Sequence, residues 1–288
     1  MIEDPYWRAS TAERAARPLD ARHAHQAEPF GAQGTVRFTV LVHDPRSAVL
    51  LHGVQSSRLS WWRIVQDLTD LGWQVHALDM LAHGDRRYMG AANLTVADLA
   101  DDVLQQVPGP VDLVAGHSLG AIVALTVAQL RPGYTKGIVI EEPPGLAGSL
   151  DPSDVADDIE RSARLAHDDP EVAIAALLRG NRLWSCIDAE NAVESRLRLD
   201  VEHVTGLLRS DRWDLQALVA GCPVPVHLLA ATDGTGLIEP DRTAVMRLLP
   251  QMRTSVIESG HSIHRDRPGL WLHEVLRFAD RASALCAP

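Results

Sequence analysis

Leu113-Val-Ala-Gly-His-Ser-Leu-Gly-Ala-Ile-Val-Ala-Leu125 sets a histidine and a serine between two glycines inside an otherwise apolar run. The residues before the pair, from Val111 to Gly116, read as a buried strand. Those after it, from Ala121 to Leu130, read as a buried helix that stops at Arg131-Pro132-Gly133. Gly116-His117-Ser118-Leu119-Gly120 therefore lies at a strand-to-helix junction and fits G-x-S-x-G. A turn that sharp needs glycines on both sides, because side chains there would strike the neighbouring strand and helix. The serine is lifted clear of the sheet, beside unpaired helix N–H groups that favour negative charge.

Working outward, the chain from Gly34 alternates short apolar runs with helical patterns. TVRFTVLV and SAVLLHG (Ser47 to Gly53) read as strands, and WWRIVQDLTDLG, from Trp61, as a helix stopped at Gly72. WQVHALDM, from Trp73, is the next strand, and LTVADLADDVLQQV, from Leu94, is an amphipathic helix closed by Pro108-Gly109-Pro110. GIVIEEPPG, from Gly137, is a further buried strand. Alternation of this kind predicts a mostly parallel sheet flanked by helices on both faces, an α/β fold. Between about Leu150 and Asp214 the strands stop, and VADDIERSARLAHDD, PEVAIAALLRGNRLW and VESRLRLDVEHVTGLLRS read as helices. The rhythm resumes with a strand from Val224 to about Ala230, a helix near Asp241 to Leu249, the strand TSVIES, and a helix from Pro268 to Ala279. The expected organisation is an extension at 1–33, a core at 34–149 and 215–288, and an inserted helical lobe at 150–214.

Bulk properties narrow the function. The 288 residues are 46% hydrophobic and 23% charged, the balance of a soluble globular protein, with a formal net charge of −11. An acidic chain without a Lys/Arg cluster has no footprint for nucleic acid. No apolar run reaches a membrane-spanning length, and the N-terminus lacks a signal-peptide core, so the expectation is a cytoplasmic protein with no membrane partner. Cys186, Cys222 and Cys286 are scattered and odd in number, consistent with free thiols. With no H-E-x-x-H or comparable set, neither metal nor cofactor is expected.

Two segments add chemistry to Ser118. Leu50-Leu-His-Gly-Val54 ends a strand with a glycine that lets the next N–H face the site, so Val54 N–H and Leu119 N–H are the expected oxyanion hole. Near the C-terminus, SGHSIHRDRP places His261 after a strand and a glycine. A serine hydroxyl is a poor nucleophile near neutral pH, and an imidazole can take its proton and return it to the leaving group. His117 is read as packing against the elbow, His264 as structural and bonded to backbone, His52 and His83 as braces of nearby loops, and Asp79 as a loop anchor.

LLHGV, LDMLAHGDR, GHSLG and GHSIH, in this order, resemble the α/β-hydrolase fold family, with similarity running from about Gly34 to Ala279. The resemblance implies Ser118 as nucleophile, His261 as base and residues 150–214 as a cap. It also offers two positions for the acid that orients the imidazole. These are Asp233, in AATDGTG after the strand that follows the cap, and Glu142, in IEEPPG after the strand that follows the elbow helix. Glu142 is the favoured of the two. Serine at the elbow disfavours aspartyl-ester chemistry such as epoxide opening, and Ala82 stands where glycine is more usual.

Trp184, in the cap, and Trp61 and Met89, near the mouth loops, are the expected substrate-binding residues. Together these features point to a serine hydrolase of a small apolar ester or lactone, acting through an acyl-enzyme. The same triad used for C–C cleavage, lyase or acyl-transfer chemistry, and a ligand-binding receptor with vestigial activity, stand as alternatives. Monomer and homodimer are equally compatible with the sequence.

Overall fold

The computed structural model describes residues 45–90, 93–144, 152–232 and 252–285. The extension at 1–33, the strand expected over TVRFTVLV, the helix expected near Asp241 to Leu249, and Asp233 lie outside the described residues.

Six strands form one parallel sheet: β1 Ser47–Leu51, β2 Gln74–Leu78, β3 Leu113–His117, β4 Ile138–Glu141, β5 Val226–Ala231 and β6 Met252–Ile257, in spatial order β2-β1-β3-β4-β5-β6. Helices α1 Trp62–Asp70, α2 Val96–Gln106 and α3 Leu119–Leu130 connect the first four strands. Four helices follow β4, namely α4 Pro152–Asp168, α5 Pro170–Gly180, α6 Cys186–Leu197 and α7 Val201–Ser210. Then come α8 Leu215–Ala220, β5, β6, the short α9 Ile263–Asp266 and α10 Pro268–Leu285. The last helix runs past the expected Ala279, because Ala279 and Ala282 continue its buried face. The single helix expected over Val193 to Ser210 is broken. Asp200 caps α7 by accepting from His203 N–H, and Leu199 beside it is buried.

The strands read as apolar runs because both faces are covered. Alternate residues sort into two layers. Val49, Leu51, Val114 and Ile140 pack with α2 and α3, while Leu50, Leu113, Ala115 and Val139 pack with Ile64, Trp271 and Phe278 of α1 and α10. α3 is apolar nearly all round because it is buried nearly all round. Ala166, Ala173 and Val193 form a separate small cluster inside the inserted helices.

Register fixes the working edge. Leu51 pairs with Gly116, His117 with Glu141, and Glu141 with Leu229. The residues just beyond these pairs, His52-Gly53, Ser118 and Glu142, emerge side by side at the C-terminal edge of the sheet, where open α/β sheets bind ligands.

Candidate active site

Ser118 is the N-cap of α3 and adopts φ 51° and ψ −118°, a left-handed conformation that L side chains rarely hold. Its N–H donates to Glu141 O (2.9 Å) and its carbonyl accepts from Ala121 N–H (2.9 Å), so the adjacent strand β4 and the first turn of α3 hold the turn. The flanking glycines are required by backbone and not by side chains. A Cβ on Gly116 would lie 2.1 Å from Gly120 O, and one on Gly120 would lie 2.4 Å from Leu51 O.

The loop after β1 presses against this turn, since a Cβ on Gly53 would meet His117 Nδ1 at 2.7 Å and Ser118 Cβ at 3.4 Å. Two buried imidazoles hold the loop. His52 donates from Nδ1 to Gly53 O (2.8 Å) and accepts Met80 N–H at Nε2 (3.1 Å), which fixes it as the neutral tautomer. Burial, reinforced by His83, pushes its pKa well below the ordinary value. His83 lies with Nε2 2.9 Å from Val54 O and Nδ1 2.8 Å from Leu81 O, bracing the loop that carries Val54. Val54 N–H has no acceptor among the described residues, and Leu119, as the first residue of α3, has an N–H that the helix leaves unused. Both residues line the same cavity as Ser118. Ala82, in the neighbouring loop, takes φ 67°, the conformation for which glycine is better suited.

Glu142 follows β4 at φ 46° and is fully buried. One of its carboxylate oxygens accepts Ala231 N–H (2.6 Å), and the other lies 3.5 Å from His261 Nδ1. The imidazole is 32% exposed and lines the cavity with Ser118. A 3.5 Å spacing is the outer limit of a hydrogen bond, and such contacts commonly tighten when substrate binds. His117 also lines the cavity but is engaged with backbone. Its Nε2 donates to His261 O (3.0 Å), and burial followed by the charges of His261 and His264 holds it well below the ordinary pKa, so it braces the backbone of the neighbouring imidazole.

His264 departs from expectation. Its ring Nδ1 bonds the carboxylate of Glu141 (2.8 and 3.1 Å) instead of a backbone group, while its own N–H donates to the same carboxylate (3.2 Å). Glu141 also accepts from Trp271 Nε1 (2.9 Å). Asp79 anchors its loop, accepting from Arg58 N–H (2.8 Å), Asp85 N–H (3.1 Å) and the Arg58 guanidinium.

The cavity has a volume of about 900 Å³ and is enclosed partly by the inserted helices, which contribute Val155, Leu177, Ala192, Arg196 and Leu208. Trp184 lines it as expected. Trp61 does not. It is fully buried in the core, its ring 4.1 Å from that of His264 and 5.5 Å from that of Trp271. Met89 is 88% exposed and is not among the residues that line the cavity. Ser56, Arg196 and Arg265 line the cavity without having been singled out in the sequence. For Arg265 a signal existed, since it lies four residues beyond His261; for Arg196 there was none. Among the described residues no three His, Cys, Asp or Glu side chains converge as metal ligands would, and no helix is long and apolar enough to cross a membrane.

The curated relatives match only parts of themselves. Residues of this chain are 30% identical over 147 positions to the lipase LipV of Mycobacterium tuberculosis, covering 50% of this chain and 53% of that one. They are 36% identical over 94 positions to the pimeloyl-[acyl-carrier protein] methyl ester esterase of Sodalis glossinidius, covering 33% and 35%. The chain thus spans about half the length, or less, of these relatives. Among solved structures, the malate-bound thermophilic esterase of Thermogutta terrifontis superposes with a TM-score of 0.65 at 17% identity, over 82% of this chain and 90% of that one, a likeness of fold. The model of the alpha/beta hydrolase family matches residues 48–275, taking in every strand of the sheet, the Ser118 turn and His261, and the chain belongs to that family.

Proposed function

We propose that the chain hydrolyses a carboxylic ester or lactone through Ser118, His261 and Glu142. The observation that carries this reading is the convergence on one cavity of a serine held at positive φ and an imidazole backed by a fully buried carboxylate. Ser118 Oγ attacks the acyl carbon while His261 takes its proton. Glu142 holds the imidazole's other nitrogen and stabilises the cation that forms, and the N–H groups of Val54 and Leu119 receive the developing oxyanion. The imidazolium then protonates the departing alkoxide, and water, deprotonated by the same imidazole, releases the acid. No other reactant is required. The apolar lining from Val155, Leu177 and Leu208, with Trp184, suits an apolar acyl or ring portion, and the lipase and esterase names of the partial relatives support an ester as substrate. In this reading the inserted helices act as a cap over the cavity.

The test is turnover of p-nitrophenyl esters and of aromatic and macrocyclic lactones by the wild-type protein and Ser118→Ala. Wild-type turnover, lowered at least about 10³-fold in Ser118→Ala, is the expected result. Equal rates in the two proteins would overturn the proposal.

A further inference from the structure

The cavity beside Ser118 contains more charge than an apolar ester needs, and most of it is already matched. Asp158 accepts from Gln55 Nε2 (3.2 Å) and Arg161 (2.8 Å), Asp211 from Val96 N–H (2.8 Å) and Arg212 N–H (2.8 Å), and Asp214 caps α8. Arg212 donates to the carbonyls of Leu208 (3.0 Å) and Asp211 (2.7 Å), and Asp154 is exposed to solvent.

Arg196 and Arg265 are different. Arg265 is 8% exposed, lies over the Trp184 ring at 4.4 Å, and donates from Nη2 to Ser56 Oγ (3.2 Å), while its buried Nε has no acceptor. Arg196 Nε is likewise buried without an acceptor, and among the described residues neither guanidinium is in an ion pair. The carboxylates near Arg265 are committed elsewhere. Asp188 accepts from Trp62 Nε1 (2.9 Å), Ser185 N–H (2.9 Å) and Ser185 Oγ (2.7 Å), and Asp266 from Gly260 N–H (2.6 Å). The two guanidiniums are close enough to repel each other, and burial lowers both, Arg265 to about 10, which leaves it charged at neutral pH. A buried and a half-buried cation that repel each other, and whose nearby carboxylates are engaged by other donors, are costly to hold side by side unless an anion joins them.

We propose that Arg196 and Arg265 receive a carboxylate carried by the substrate, so that the ester cleaved has a free carboxylate a few bonds from its scissile carbonyl, as in the monoester of a short dicarboxylic acid. This rests on the ester-hydrolase reading of the same cavity. The planar guanidinium fork matches a carboxylate's two oxygens, which a point charge would not. The short spacing follows from chain placement. Ser56, which holds Arg265, is two residues beyond Val54 of the expected oxyanion hole, and Arg265 is four residues beyond His261.

Two measurements test it. In the first, initial rates are compared for mono-p-nitrophenyl glutarate and its neutral methyl p-nitrophenyl diester. The wild type should prefer the anionic ester by about 100-fold in kcat/KM, Arg196→Met should lose that preference, and Arg196→Lys should retain part of it. In the second, glutarate and inorganic phosphate are titrated calorimetrically into Ser118→Ala protein. Glutarate binding that Arg196→Met removes is expected. No preference in the wild type together with no glutarate binding would overturn the proposal while leaving ester hydrolysis standing. Binding of phosphate but not glutarate would overturn the carboxylate assignment. A wild type inert on both esters that binds glutarate through Arg196 would sink the hydrolase reading and keep the anion site.

Discussion

Glu141 and Glu142 are adjacent, and each grips one of two histidines three residues apart, yet the two pairs are built for different tasks. Glu141 ends β4, pairs with His264 at 1% exposure on both sides, and spends its oxygens on the imidazole, a backbone N–H and Trp271. Glu142 steps out of the strand at φ 46°, accepts the Ala231 backbone N–H on one oxygen, and aims the other at an imidazole that is 32% exposed in the cavity. The chemistry of the two pairs is the same. What separates them is whether the imidazole's far side faces core or cavity. The Glu141 carboxylate ties together α9, α10 and the sheet; the Glu142 carboxylate faces an imidazole open to the cavity and can respond when that imidazole gains a proton.

The sharpest way to break that contrast is Glu142→Gln. The amide keeps the acceptor for Ala231 N–H but cannot stabilise an imidazolium. Ester turnover should fall about 10²–10⁴-fold while the melting temperature stays within a few degrees of wild type. An active Glu142→Gln enzyme would remove Glu142 from the reaction and direct attention to Asp233.

Glu141→Gln should show the converse. The amide presents N–H groups to His264 or Trp271, both donors, in a site with no water-exposed alternative. Loss of one partner from a buried pair of this kind costs about 3–5 kcal/mol. Denaturant titration should show that loss, with turnover by the folded fraction changed less than about tenfold. A protein of unchanged stability would mean that the Glu141 site is not the structural tie its contacts describe.

The strands and the Ser118 turn were legible before any coordinates, whereas the Glu141–His264 half of this contrast was not, since the sequence reading has His264 bonded to backbone. Short apolar runs closed by glycine or proline mark the strands because both faces of the sheet are buried, and Gly116 and Gly120 mark the elbow because backbone atoms fill the space of their side chains. Glu142 and His261 were identifiable from their places after strands. What was not legible depends on packing across the chain. Nothing local distinguishes Trp61 from Trp184, since both sit in amphipathic surroundings, yet one is sealed against Trp271 and the other lines the cavity. Arg196 reaches the cavity only because α6 is folded over it. The break at Leu199 and Asp200 escaped because apolar periodicity continues through it, and the cap on α7 is a single side chain.

A third imidazole and carboxylate set a scale for the other two. His227 on β5 is 1% exposed, its Nε2 lies 3.0 Å from Ser255 Oγ and 3.9 Å from Glu274, and Ser255 donates to that carboxylate at 2.7 Å. With the hydroxyl interposed, burial outweighs the attraction of Glu274 and pushes the imidazole down to about 4. The folded protein therefore holds His227 neutral while the unfolded chain protonates it near the ordinary value of 6.5, so the unfolded state binds the extra proton as pH falls. Its share of stability is complete above about pH 6.5 and is lost progressively toward pH 4, about 2 kcal/mol of it by pH 5. Unfolding free energies of wild type and His227→Gln, measured from pH 7.5 to 5, should diverge in slope by that amount, whatever their offset at pH 7.5. Parallel slopes would show that Glu274, at 3.9 Å, offsets the cost of burying this imidazole as a cation.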